Sequence, residues 1–207
     1  MPCSQLVLIG ASAGWMLPSA WLQRFESVQT WDIDPLAAPL FRWRHGRALR
    51  EHRIPLDTRT ADALEALPRL VREQPQAFFW FDNLFGQLRF MGPPATEVPR
   101  QLQELRQLLR EVSWGSVHDR MSGPVQPDAP VASPTLDTLS GVAMESAPLQ
   151  AWLLQLGALS PWLDHMTDSA LPAGTQVRHV AWPFKPGYAH WLEMGWQPAG
   201  ASRSTVR

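Results

Sequence analysis

An uninterrupted apolar run, Leu6-Val7-Leu8-Ile9, leads straight into the small-residue stretch Gly10-Ala11-Ser12-Ala13-Gly14. This junction constrains the fold more than any other part of the chain. A strand that is apolar at every position must be buried on both faces, as in a parallel sheet with helices packed over it. Small residues directly after such a strand make a tight turn that lets backbone approach a ligand closely. A second apolar stretch, Val28-Gln29-Thr30-Trp31, ends on Asp32-Ile33-Asp34-Pro35. Asp32 follows Gly10 by 22 positions, near the ~20 of a nucleoside-binding βαβ unit, where such a carboxylate accepts hydrogen bonds from ribose hydroxyls.

The rest of the chain continues the alternation. A short helix is predicted after Pro18, running to Phe25, and a second helix opens at Pro35 with Leu36, Leu40 and Trp43 on its apolar side. A weak edge strand follows at 54–56, then a helix over 61–72 carrying Leu64, Leu67 and Val71. Ala77-Phe78-Phe79-Trp80-Phe81 is a core strand ending on Asp82-Asn83, and polar groups in that position face the ligand-binding crevice of an α/β sheet. An amphipathic helix is predicted over 98–112, and a short strand around Val117. Four prolines, at 124, 127, 130 and 134, mark 123–134 as a long loop within the domain. Helices are expected over 149–159 and 161–166. Pro186-Gly187 turns a closing β-hairpin formed by 176–184 and 188–196.

The expected architecture is therefore α/β: a three-layer sandwich with a mostly parallel seven-stranded sheet and a C-terminal antiparallel hairpin, in one domain over 1–207. The length of 207 residues allows one sizeable core. A formal net charge of −1, with 18% charged residues, gives no strong nucleic-acid signal. Lys185 is the only lysine; the arginine excess reads as genome composition, and Arg42, Arg44, Arg47, Arg50 and Arg53 as a solvated helix face. With Cys3 the only cysteine, no intrachain disulfide forms and a cytoplasmic location is expected. No segment reads as a signal peptide or a membrane span.

On Val7-Leu8-Ile9-Gly10-Ala11-Ser12-Ala13-Gly14, Trp31-Asp32-Ile33-Asp34-Pro35, Phe79-Trp80-Phe81-Asp82-Asn83-Leu84 and the closing hairpin, the chain resembles the class I, Rossmann-like S-adenosylmethionine-dependent methyltransferases. The resemblance implies S-adenosylmethionine as cofactor and methyl transfer to a small-molecule or peptide acceptor. It implies that Gly10, Ser12 and Gly14 approach the cofactor, that Asp32 holds its ribose, and that Asp82 and Asn83 face the transferring methyl group. Asp57 and Asp62 compete for the role beside the adenine. Two positions depart from the family pattern: Ser12 replaces a glycine, and Leu8 stands where an acidic residue is usual.

Methyl transfer from an activated donor needs positioning and, for some acceptors, a base. Asp82, Asn83, His118, Asp119 and His165 are the catalytic candidates, the histidines as general bases near neutral pH. Neighbours such as His118-Asp119-Arg120 point in different directions on any regular element and need not act together. Asp164, His165 and Asp168 share a face if their segment is helical, but no second histidine lies at ligand spacing, so no metal site is expected. His179, His190 and Trp191 read as packing or edge residues.

Two other readings stand beside the methyltransferase. One is a catalytically inactive Rossmann-like binding or scaffold protein. The other is a serine hydrolase, because Gly10-Ala11-Ser12-Ala13-Gly14 also spells a nucleophile elbow around Ser12. The order of elements disfavours the hydrolase, since no earlier strand comes before the 5–10 strand to supply an oxyanion-hole loop. The dehydrogenase and P-loop patterns are absent.

Overall fold

Leu6, Val7, Leu8 and Ile9 are all fully buried, as the unbroken apolar run requires. They belong to β1 (Gln5–Ile9), the first strand of a computed structural model that describes residues 4–92, 94–126 and 135–200. The next elements are α1 (Ser19–Leu22), β2 (Ser27–Asp32), α2 (Ala37–Glu51), β3 (Leu56–Thr60), α3 (Ala63–Glu73) and β4 (Phe78–Asp82). Then come α4 (Leu84–Gln87), α5 (Val98–Leu109), β5 (Ser113–Pro124), β6 (Thr135–Leu139) and α6 (Ala147–Gln155). The chain closes with β7 (Leu163–Asp164), β8 (Gln176–Lys185) and β9 (Tyr188–Gln197). The class is α/β, with parallel strands first and antiparallel strands at the C-terminal end.

The chain forms two compact units: residues 1–84, 107–115 and 197–207 in the first, and 85–106 with 116–196 in the second. In the first unit the parallel strands run in the order β3-β2-β1-β4. Their register pairs Ile9 with Trp31 on one side and with Phe81 on the other. Gly10, Asp32 and Asp82 therefore all stand one residue beyond a matched row, at the carboxyl-terminal rim. Phe41, Leu49, Leu67, Leu70, Phe79 and Phe81 fill the core around these strands.

In the second unit β8 pairs antiparallel with both β9 and β6, and β7 pairs antiparallel with β5. Leu149 and Trp152 of α6 and Leu156 at its C-terminal cap pack with Ala181 and Trp191 into a separate cluster.

Several local expectations change. Helix α2 buries Phe41, His45 and Leu49, whereas Leu36, Leu40 and Trp43 are exposed. Two apolar stripes compete in this segment, and the one that meets the sheet is set by packing rather than by residue count. The segment 161–166 is not helical but contains β7, so the i, i+3 geometry supposed for Asp164, His165 and Asp168 does not arise. The strand around Val117 extends to 12 residues and takes in Gly123 and Pro124. Residues 127–134 of the expected loop lie outside the described residues, and β6 follows them. Among the described residues, no helix is long and apolar enough to cross a membrane.

Candidate functional site

The glycine turn is held from within the first unit. Gly10 (φ +70°) and Gly14 (φ +65°) both lie in the left-handed region that favours glycine, and Ser12 between them has φ +44°. A Cβ on Gly14 would stand 2.6 Å from His45 Nε2 and 2.8 Å from Phe41 Cε2. Gly14 is therefore small because α2 packs against it. His45 is buried; its Nε2–H donates to the Gly14 carbonyl (3.1 Å) and its Nδ1 accepts from Ser19 Oγ (2.8 Å). Burial, the largest influence, lowers the His45 pKa. A Cβ on Gly10 would lie 3.3 Å from Leu84 Cβ and 3.4 Å from the Asp82 carbonyl oxygen, so that turn hugs the end of β4.

Asp32 is the latch of this turn. Its Oδ2 accepts from the Ser12 backbone N–H at 2.7 Å, and its Oδ1 from the Asp34 N–H at 2.9 Å. Two fixed donors hold the carboxylate half-exposed at the rim, and each oxygen retains lone-pair capacity for a hydroxyl donor. Asp82 is its buried counterpart. Only 6% of it is exposed, and its Oδ1 has no hydrogen-bond partner. Burial first, and the charge of Asp32 second, push its pKa up to about 7. A buried carboxyl poised near neutrality beside a fixed carboxylate marks a candidate site. Asn83 follows with φ +58°, a left-handed conformation that asparagine tolerates.

The two other cofactor candidates, Asp57 and Asp62, stand differently toward that rim: Asp57 is set back from it, and Asp62 lies two residues past Thr60. Asp57 lies within β3 opposite Gln29, three pairs short of the rim row that matches Asp32 with Thr60. It accepts from Gln29 Nε2 (3.0 Å) and from Arg59 (2.9 Å). Asp62 caps α3, accepting from Leu64 N–H at 2.8 Å and Glu65 N–H at 3.3 Å. Both carboxylates therefore have structural work: one pairs across a strand, the other satisfies the open donors of a helix end. Ser12 has no imidazole partner among the described residues, and a hydrolase would need one.

The remaining catalytic candidates belong to the second unit. Asp119 is buried and its Oδ1 accepts from His190 Nδ1–H at 2.8 Å. His165 is buried; its Nδ1–H donates to the Gly86 carbonyl (2.9 Å), leaving Nε2 to accept from Ser122 Oγ (3.0 Å). Tyr188 Oη in turn donates to Ser122 Oγ at 3.2 Å. Asp119, His165 and His190 thus converge.

His118 does not join them. Its Nδ1 is 3.1 Å from Ser116 Oγ and its Nε2 3.5 Å from Glu193 Oε1. Burial works against the Glu193 charge, but the nearby His118, helped by Arg120, outweighs it and lowers the pKa. Strand alternation separates the two groups, as expected for adjacent residues of β5.

His190, expected as a packing or edge residue, instead holds Asp119, and Glu193 and Tyr188 were not singled out as site residues by the sequence. Alternation along β9 was the available signal: it sends Tyr188 and His190 to one face and Trp191 and Glu193 to the other. It could not say which residues of β5 they would meet.

No family model matches the chain, and no curated protein does. Solved structures similar to it include an S-adenosylmethionine-dependent methyltransferase from Anabaena variabilis, 14% identical, with a TM-score of 0.45 over 95% of this chain and 79% of that one. An O-methyltransferase family protein from Burkholderia thailandensis is 15% identical, with a TM-score of 0.41 over 95% of this chain and 51% of that one. The cofactor-bound protein Rv0187 from MTB is 16% identical, with a TM-score of 0.42 over 93% of this chain and 72% of that one.

Proposed function

We propose that the first unit binds S-adenosylmethionine and that the chain transfers its methyl group to a small-molecule or peptide acceptor. One observation carries this reading: the fixed carboxylate of Asp32 and the buried, incompletely satisfied carboxyl of Asp82 share one rim with the Gly10–Gly14 turn. The donor set fits the cofactor. Asp32 is preorganised to accept from a ribose diol, and its two backbone donors spare it the entropy of being ordered on binding. Asp82 offers an orphaned acceptor that favours a cationic ligand, because positive charge nearby returns its carboxyl to the ionised form. When bound, the sulfonium supplies an already activated methyl group. The demand on the chain is orientation, and rigid strand ends serve that better than loops. A single cysteine and a net charge of −1 fit an enzyme of a reducing compartment acting on something other than nucleic acid.

Calorimetric titration with S-adenosylmethionine and with its demethylated product tests the reading. Both should bind the wild-type chain. Asp32→Ala should weaken both by about 1–3 kcal/mol, the worth of a hydrogen bond to a charged group. Absence of binding at millimolar ligand, or unchanged affinity in the variant, overturns it.

A further inference from the structure

We propose that Asp119, His165 and His190 form a binding site for a divalent transition-metal ion of the zinc class. The proposal does not rest on methyl transfer and concerns the second unit alone. One donor atom from each of these residues lies within 4.8 Å of the other two. Donors about 2.0–2.2 Å from a tetrahedral ion stand roughly 3.4 Å from one another, so no pair in the cluster needs to close by more than about 1.4 Å. One edge, His190 Nδ1 to Asp119 Oδ1, is 2.8 Å. That edge is now bridged by the Nδ1 proton, and the ring carries it on Nε2 instead when Nδ1 takes up the ion.

The donor set selects the ion. Two imidazoles and one carboxylate suit zinc, cobalt, nickel or iron, whereas calcium and magnesium demand oxygen ligands. The surroundings have the features that support such ligands. The Nδ1–H of His165 is fixed on the Gly86 carbonyl, which leaves Nε2 as its lone-pair donor; Nε2 now accepts from Ser122 Oγ at 3.0 Å, a bond that an ion replaces. A carbonyl in this role orients a ligating imidazole and raises its basicity. The Thr167 hydroxyl donates to the Asp119 carbonyl at 2.6 Å and pins that residue's backbone.

Aromatic rings complete the shell. Trp182, Phe184 and Tyr188 lie 5.2–5.9 Å from the His190 ring, and Phe90 lies 5.5 Å from the His165 ring. His190 retains 17% of its side-chain exposure, which gives an ion a path in. Three protein ligands leave one tetrahedral position for water or a substrate atom.

The test uses the untagged full-length chain, freed of metal by chelator and then dialysed. Cobalt(II) is titrated in and its visible d–d absorption followed; zinc is then added in competition. We expect one equivalent of cobalt to bind with a four-coordinate spectrum, zinc to displace it, and zinc to raise the melting temperature. His165→Gln and His190→Gln should each weaken binding at least about tenfold, while exposed His52→Gln leaves it unchanged. If a histidine variant fails to fold by circular dichroism, Asp119→Asn, which still accepts from His190, is read in its place and should also weaken binding. No stoichiometric cobalt binding to the wild type, or binding unaltered in the folded cluster variants, overturns the proposal.

Discussion

The Asp82 carboxyl feels the charge of Asp32 from the opposite side of β1, one residue past the row that pairs Trp31, Ile9 and Phe81. Among the described residues neither carboxylate has a basic partner at the rim: Asp32 rests on two backbone N–H groups and Asp82 Oδ1 on none. The first unit therefore stores an electrostatic penalty where its ligand site is expected.

That penalty has a pH signature. Asp82 ionises near 3.8 when unfolded and near 7 when folded. Between those values the folded chain holds a proton that the unfolded chain has released. Stability from this group is fully present below about pH 4 and is lost as the pH rises through 7, by a few kcal/mol and at most about 4. Asp82→Asn should remove the loss, so its stability relative to wild type should be at least about 1 kcal/mol more favourable at pH 8 than at pH 4. Denaturant unfolding at the two pH values measures this; equal differences would show that Asp82 is not perturbed.

Asp32→Asn should act on both residues. Removing the charge should lower the Asp82 pKa toward the ordinary carboxylate range, leaving burial as the remaining cause. Carbon-detected titration of the Asp82 carboxyl reads the shift directly. The Ser12 N–H would lose a charged acceptor, at a cost of about 1 kcal/mol given its exposure. An unmoved Asp82 titration would break the coupling between the two.

The turn itself is testable by two opposite changes. Gly14→Ala places a methyl 2.6 Å from His45 Nε2 at a φ of +65°, and should cost more than about 2 kcal/mol from overpacking and backbone strain. Ser12→Gly relieves a φ of +44° and should gain about 1 kcal/mol. Thermal melts of both variants give the comparison, and a neutral Gly14→Ala would mean that α2 does not press on the turn.

His179 should remain neutral across the physiological range. Burial, the dominant cause, lowers its pKa to about 4 despite the opposing pull of Glu193. The unfolded imidazole titrates near 6.5, so between pH 6.5 and 4 the unfolded state binds the extra proton. Stability contributed by this residue is lost as the pH falls through that window. The neutral ring accepts from Trp191 Nε1 at 2.8 Å. His179→Leu should leave that buried donor unsatisfied and cost about 1–3 kcal/mol, whereas His179→Gln should recover part of it. Imidazole proton resonances that titrate near 6.5 in the folded protein would contradict this picture.

Much of the first unit was legible in the chain. The continuous apolar runs at 6–9 and 78–81 could only be buried strands, and the spacing from Gly10 to Asp32 placed both at one sheet rim. Periodicity found α2 but chose the wrong stripe: Leu36, Leu40 and Trp43 have the right spacing and face solvent. Asp57 and Asp62 looked equivalent because composition does not distinguish a mid-strand carboxylate from a helix cap.

What the residues dictated alone was local: which segments are strands, where the turns fall, and which carboxylates follow buried strands. These follow from side-chain period and backbone sterics, both short-range. Packing in three dimensions settled the rest. It closed Gly14 against His45, left Asp82 Oδ1 without a partner, and carried His190 across 71 positions to Asp119. Contacts of that kind depend on strand pairing and register between distant segments, and no local pattern of spacing encodes which strand will lie beside which.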